Sequence, residues 1–85
     1  ANSQIQAIEY LQQNDVFELL DEKLKEVALL RQINPEASLN ELAEIYQAQT
    51  GNKMSKSGMK HRFNKIVERY KTLKEKRSEY ISVDF

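Results

Sequence analysis

Five apolar residues, Met59, Phe63, Ile66, Tyr70 and Leu73, recur at alternating spacings of four and three. At about 3.6 residues per turn this spacing places all five on one stripe, which predicts a single continuous helix obliged to bury that stripe against other elements. A chain of 85 residues has room for one modest core and not two. Its residues are 40% hydrophobic and 31% charged, and two Gly and one Pro offer little of the turn chemistry that a sheet-built domain requires. The expected class is all-α, a small helical bundle.

The helix that carries the seam also carries the positive charge. Residues 53–77 hold ten Lys or Arg against two acids, a surplus of eight; residues 1–52 hold three against nine, a deficit of six; residues 78–85 add two more acids. The formal net charge of zero is thus a cancellation between halves, and the asymmetry points to a polyanionic partner. With no cysteine and a single histidine, the chain has neither a disulfide nor the donor set of a transition-metal site, so no metal or cofactor is expected. No apolar run approaches the roughly 20 residues of a membrane span and nothing resembles a signal peptide. The expectation is a cytoplasmic, nucleoid-associated chain with no membrane partner and no small-molecule substrate. It starts at Ala1, without an initiator Met, on a helix-like segment. This suggests a domain excised from a longer protein.

Four helical segments are expected. Residues 3–13 place Ile5, Ile8 and Leu11 on one stripe, with Asn2 or Ser3 as cap; residues 16–20 form a short apolar turn of helix or hinge, and Asp21 caps the next helix. In residues 22–33, Leu24, Val27, Ala28 and either Leu30 or Arg31 keep helical spacing until Asn34-Pro35 ends the segment, because the residue before proline is pushed out of the helical region. Ser38-Leu39-Asn40-Glu41 is a capping box that launches Leu39, Leu42, Ala43 and Tyr46 on one face, with Ile45 beside them. Gly51 stands where a left-handed helix stop is expected, and Ser55 caps a last helix running to about residue 76. The chain divides into a leading helical segment (1–20), a helix-turn-helix core (21–77) and a tail (78–85), all within one domain.

The last helix opens with SKSGMKHR, and its side opposite the seam carries Ser57, His61 and Asn64, flanked by Lys60 and Lys65. These polar groups occupy the first two to three turns, the part of a recognition helix that enters a major groove. Ser57, Lys60, His61 and Asn64 are the candidates to face base edges, where lysine suits guanine acceptors and asparagine suits adenine. Lys53, Lys56 and Lys65, with Arg62 and Arg69, are the candidates for phosphate. Arg62 lies near the edge of the seam, so it braces the domain or reaches phosphate rather than reading a base. Glu68, one turn beyond the face, would repel phosphate if the groove continued. Lys71, Lys74, Lys76 and Arg77 touch the backbone or are simply solvated.

The segments ALLR (28–31), NPEASLNELAE (34–44) and SKSG followed by HR (55–58, 61 and 62) resemble, in order, the C-terminal helix-turn-helix domain of the WhiA family of bacterial sporulation and cell-division regulators. The resemblance implies sequence-specific binding of double-stranded DNA by a helix-turn-helix similar in shape to the promoter-reading domain of sigma factors. The chain departs from the usual family pattern at Lys60, where Asn is common, at Asn64, where a basic residue is common, and in a proline-free segment at 47–54. Full-length members also carry a domain resembling LAGLIDADG homing endonucleases, without nuclease function, to which nothing here corresponds.

Other functions find less support. Glu41 is accounted for by the capping box and Glu44 by an exposed helix face, so no catalytic pair remains and no enzyme is expected. Phe63 and Tyr70 lie on the seam and are read as core rather than as base-stacking platforms. The alternative from a different class is a protein-interaction module whose acidic half docks RNA polymerase or another regulator.

Overall fold

The computed structural model describes the backbone of residues 2–83 and the side chains of residues 3–76. Four helices succeed one another: α1 (Asn2–Gln13), α2 (Glu22–Ile33), α3 (Leu39–Thr50) and α4 (Lys56–Val83), with a 3-10 turn at Phe17–Leu19 between the first two. No strand occurs among the described residues. Among the described residues no helix is long and apolar enough to cross a membrane. The all-α class is as expected.

The seam of α4 is the spine of the core. Met59, Phe63 and Ile66 are buried, and α1, α2 and α3 all pack on them through Ile8 and Leu11, Val27, Ala28 and Leu30, and Leu42, Ala43 and Tyr46. Phe17 of the 3-10 turn and Leu20 just after it close the same cluster. Further along the seam, Tyr70 meets Tyr10 edge-on, with ring centroids 5.1 Å apart and planes at 82°. That arrangement sets the positive edge of one ring against the negative face of the other. The two tyrosines tie α1 to the second half of α4.

Several boundaries differ from the sequence-based expectation. α1 begins at Asn2, so Asn2 and Ser3 lie inside its first turn rather than at a cap. Asp21 does precede α2, yet its side chain makes no capping bond; its carbonyl accepts from the Leu24 and Lys25 amides at 2.9 and 3.0 Å. α4 runs to Val83 rather than to about residue 76, so residues 78–83 continue the helix instead of forming a tail; residues 84 and 85 lie outside the described residues. Residues 74–83 contain no Gly or Pro, so nothing in the chain itself breaks the helix there.

The stop of α1 has no counterpart among the sequence-based expectations. Asp15 adopts φ 60°, and the Asp15 and Val16 amides donate to the Gln12 and Leu11 carbonyls at 3.4 and 3.1 Å. This is a Schellman termination built without glycine. Asp tolerates the left-handed region better than most side chains do. Lys25 then holds the 3-10 turn to α2 by bridging Glu22 at 3.1 Å and Glu18 at 3.3 Å, and those two bonds raise its pKa above the usual lysine value.

Candidate nucleic-acid interface

The interface is built on the turn between α3 and α4. α3 ends at Gly51, whose φ of 75° is left-handed and whose N–H donates to the Gln47 carbonyl at 2.9 Å. A Cβ at Gly51 would meet nothing within 4 Å, so backbone conformation alone calls for glycine there. The Thr50 hydroxyl donates to the Tyr46 carbonyl at 2.8 Å and accepts from the Asn52 N–H at 3.1 Å, which bonds the turn on both sides.

Ser55 caps α4 as expected, its Oγ accepting from the Gly58 N–H at 3.0 Å while its carbonyl accepts from Met59. A Cβ on Gly58 would stand 3.2 Å from Met54 Sδ and 3.3 Å from Ser55 Oγ. The bare glycine lets both side chains close over the helix start. The Lys56 and Ser57 amides have no acceptor among the described residues and open outward at the positive end of the helix dipole.

Ser57, Lys60, His61 and Asn64 are all exposed, as are Lys53, Lys56 and Lys65, while Met59 and Phe63 beneath them are buried. From residue 53 to residue 67 there are five Lys or Arg and no acid, and the first carboxylate on the helix is the exposed Glu68. Lys56 and Lys65 are nine residues apart, roughly 14 Å along the axis. Asn64 shares a shallow recess with Ser3 and Gln4 at the start of α1 and with Glu68 and Lys71. The recess places the first turn of α1 beside the polar face.

Two of the expected phosphate contacts sit apart from that group. Arg62 is half-buried, with its guanidinium carbon 5.3 Å from the centre of the Tyr46 ring and Nη1 donating to the Tyr46 hydroxyl at 3.4 Å. Of the two roles open to it, bracing α4 on α3 is the one its contacts engage. Arg69 is exposed about 20 Å along α4 from Lys56, beside Leu20, Leu73 and Lys76.

The residue that sequence reasoning undervalues is Arg31. It is only 3% exposed, and it donates through Nε to Gln4 Oε1 at 2.9 Å and through Nη1 to the carbonyls of Ala37 at 2.6 Å, Asn34 at 3.3 Å and Pro35 at 3.5 Å. Its guanidinium carbon lies 5.5 Å from the centre of the Phe63 ring. Burial lowers its pKa from the usual arginine value, while the carbonyls around it satisfy the charged form. Arg31 therefore clamps the turn before α3 and aims that helix at α4. The signal for it is positional: Leu24, Val27, Ala28 and Arg31 share one helical stripe, and only the last is charged.

Comparison with known proteins agrees with this architecture. The family model described as the WhiA C-terminal HTH domain matches residues 1–70. A probable cell division protein WhiA from Oenococcus oeni is 42% identical over 77 residues, covering 91% of this chain and 24% of the relative. The same-named protein of Lactococcus lactis subsp. cremoris is 43% identical over 74 residues, covering 87% and 23%. That of Enterococcus faecalis is 41% identical over 76 residues, covering 89% and 24%. The chain thus spans about a quarter of the length of the curated relatives it matches. No solved structure matches it. A capped α3, a left-handed glycine turn and a basic α4 in this order, matched by a family model over residues 1–70, mean that the chain belongs to the WhiA C-terminal helix-turn-helix domain family.

Proposed function

We propose that this domain binds double-stranded DNA sequence-specifically, with the first three turns of α4 in the major groove, as the C-terminal part of a transcription regulator linked to cell division or sporulation. The observation that carries the proposal is the exposed, acid-free start of α4, rigidly mounted on a doubly bonded turn. Lys53, Lys56, Lys65 and the free amides of Lys56 and Ser57 hold phosphate, since ammonium groups and a helix N-terminus both favour anions. Ser57, Lys60, His61 and Asn64 face the bases. Arg62 and Arg69 meet phosphate only where the duplex follows the flanks of α4, and take a smaller share. The mechanism is non-enzymatic. The link to cell division comes from the name carried by the relatives.

Selection of bound duplexes from a random pool tests the proposal. The domain is expected to enrich one motif, and Lys60→Asn with Asn64→Arg is expected to shift that motif at one or two positions, because a base-edge bond discriminates by about 1–3 kcal/mol. Lys56→Ala and Lys65→Ala are expected to weaken all duplexes alike, each reducing the salt slope by about 0.9. A pool without any enriched motif, or salt-independent binding, would refute it.

A further inference from the structure

A groove lies against α4 at Arg69 to Lys76, about 20 Å along the helix from its start. Its floor is Leu11 of α1, Val16 and Leu20 around the 3-10 turn, and Leu73 of α4; Leu19 forms one lip and Arg69 and Lys76 the other. Leu19 is 74% exposed, among the most exposed large apolar side chains of the described residues. The volume is about 120 Å³, and cavities of about 150 Å³ take up a benzene ring, so the groove suits one aliphatic or aromatic side chain. Neither Arg69 nor Lys76 has a carboxylate partner among the described residues. They stand seven residues apart, two turns or about 10 Å along one side of α4, with Thr72 and Leu73 between them.

We infer that this groove docks a short acidic, amphipathic segment of a partner protein, through one apolar anchor flanked by carboxylates. Charge complementarity and shape select the occupant together. Two cations without a carboxylate partner among the described residues, beside an aliphatic floor, match a helical segment with carboxylates at positions i and i+7 and a Leu or Phe at i+3 or i+4, since those positions share one face. Nucleic acid fits poorly: the floor is aliphatic and offers no aromatic ring on which a base could stack. The groove uses none of Ser57, Lys60, His61 or Asn64 and shares only Arg69 with the proposed DNA contacts, so such a partner and DNA can be held at once wherever the duplex does not reach Arg69.

The test is a nitrogen-15 NMR titration of the domain with three 12-residue peptides of high helix propensity. One carries Glu at i and i+7 with Leu at i+3, the second carries Lys in place of both Glu, and the third carries Ala in place of Leu. The first is expected to move the amide signals of Leu11, Val16, Leu19, Leu20 and Leu73 and to bind about tenfold tighter than either control. Lys76→Glu and Leu19→Asp, both at exposed positions, are each expected to weaken it by a similar factor, and Lys76→Glu to improve binding of the Lys peptide. Equal binding of all three peptides, shifts confined to residues 55–64, or displacement of the peptide by a duplex would each overturn the inference.

Discussion

Two turns enclose α3, and they are held in opposite ways. The turn before it, between Ile33 and Leu39, is organised by a single buried side chain, Arg31, whose bonds to the Asn34, Pro35 and Ala37 carbonyls draw an irregular backbone into one shape. The turn after it is organised by the backbone: a left-handed Gly51, the Thr50 hydroxyl bonded on both sides, and the Ser55 cap. The difference arises from where each turn sits. The first is exposed at Pro35, Glu36 and Ser38, but its carbonyls lie within reach of a long side chain from α2. The second lies at the exposed face proposed to meet DNA, where a buried clamp has nothing to be buried in. A turn clamped by a buried side chain can depend on one residue, whereas a turn without such a clamp spreads its cost over several small local bonds.

This contrast predicts a steep ranking of mutational effects. Arg31→Met keeps the bulk of the side chain but leaves buried acceptors without a donor, and is expected to cost about 3 kcal/mol, because each orphaned group costs about 1–3 kcal/mol. For a domain of this size that lowers the melting midpoint by roughly 15 °C. A loss under about 1 kcal/mol in thermal melts would show that the first turn is held by its backbone after all, and the comparison would collapse. Gly51→Ala is expected to cost about 1–2 kcal/mol through its left-handed φ alone, and Gly51→Asn visibly less, since nothing crowds the site. Equal losses for Ala and Asn would point to steric rather than conformational control.

Ser38→Ala should cost about 1 kcal/mol, because it removes the 3.1 Å bond from the Glu41 amide to the Ser38 hydroxyl. The partner half of the capping box carries a pH signature. Bonds from Ser38 hold the Glu41 pKa below the usual carboxylate value, so this contribution is present above the unfolded-state pKa and is lost as pH falls through the folded one. Glu41→Gln is therefore expected to be less stable than the parent near neutrality and to converge with it in acid. Melts at a series of pH values check this, and a constant gap between the two would remove Glu41 from the cap.

Much of the scaffold can be read along the chain because its determinants are local. The capping box at Ser38 and Glu41, the stop at Asn34-Pro35, the glycine at 51 and the cap at Ser55 each act within four residues, and all take the expected form. The periodicity of Met59, Phe63 and Ile66 likewise identifies the buried stripe, and with it the exposed polar face opposite. What escapes such a reading depends on distant or weakly marked chemistry. Arg31 looks like a surface charge until the 34–37 carbonyls are folded over it. The groove beside Arg69 draws Leu11 and Val16 from more than fifty positions away. The stop of α1 at Asp15 carries no glycine to announce it, and α4 runs about seven residues past its expected end near residue 76.

One helix carries both the buried stripe and the exposed face, yet the two share no side chain. The side chains of Ser57, Lys60, His61 and Asn64 form no hydrogen bond or ion pair with other described residues, so substitutions there leave the foundations untouched. Lys60 and Asn64, where the resemblance implied departures from the family pattern, are such positions. A lineage can thus change the face proposed to read DNA at almost no thermodynamic risk, provided it substitutes and never deletes: removing one residue between the cap and Met59 would turn the whole face by about 100° and drive polar groups into the core.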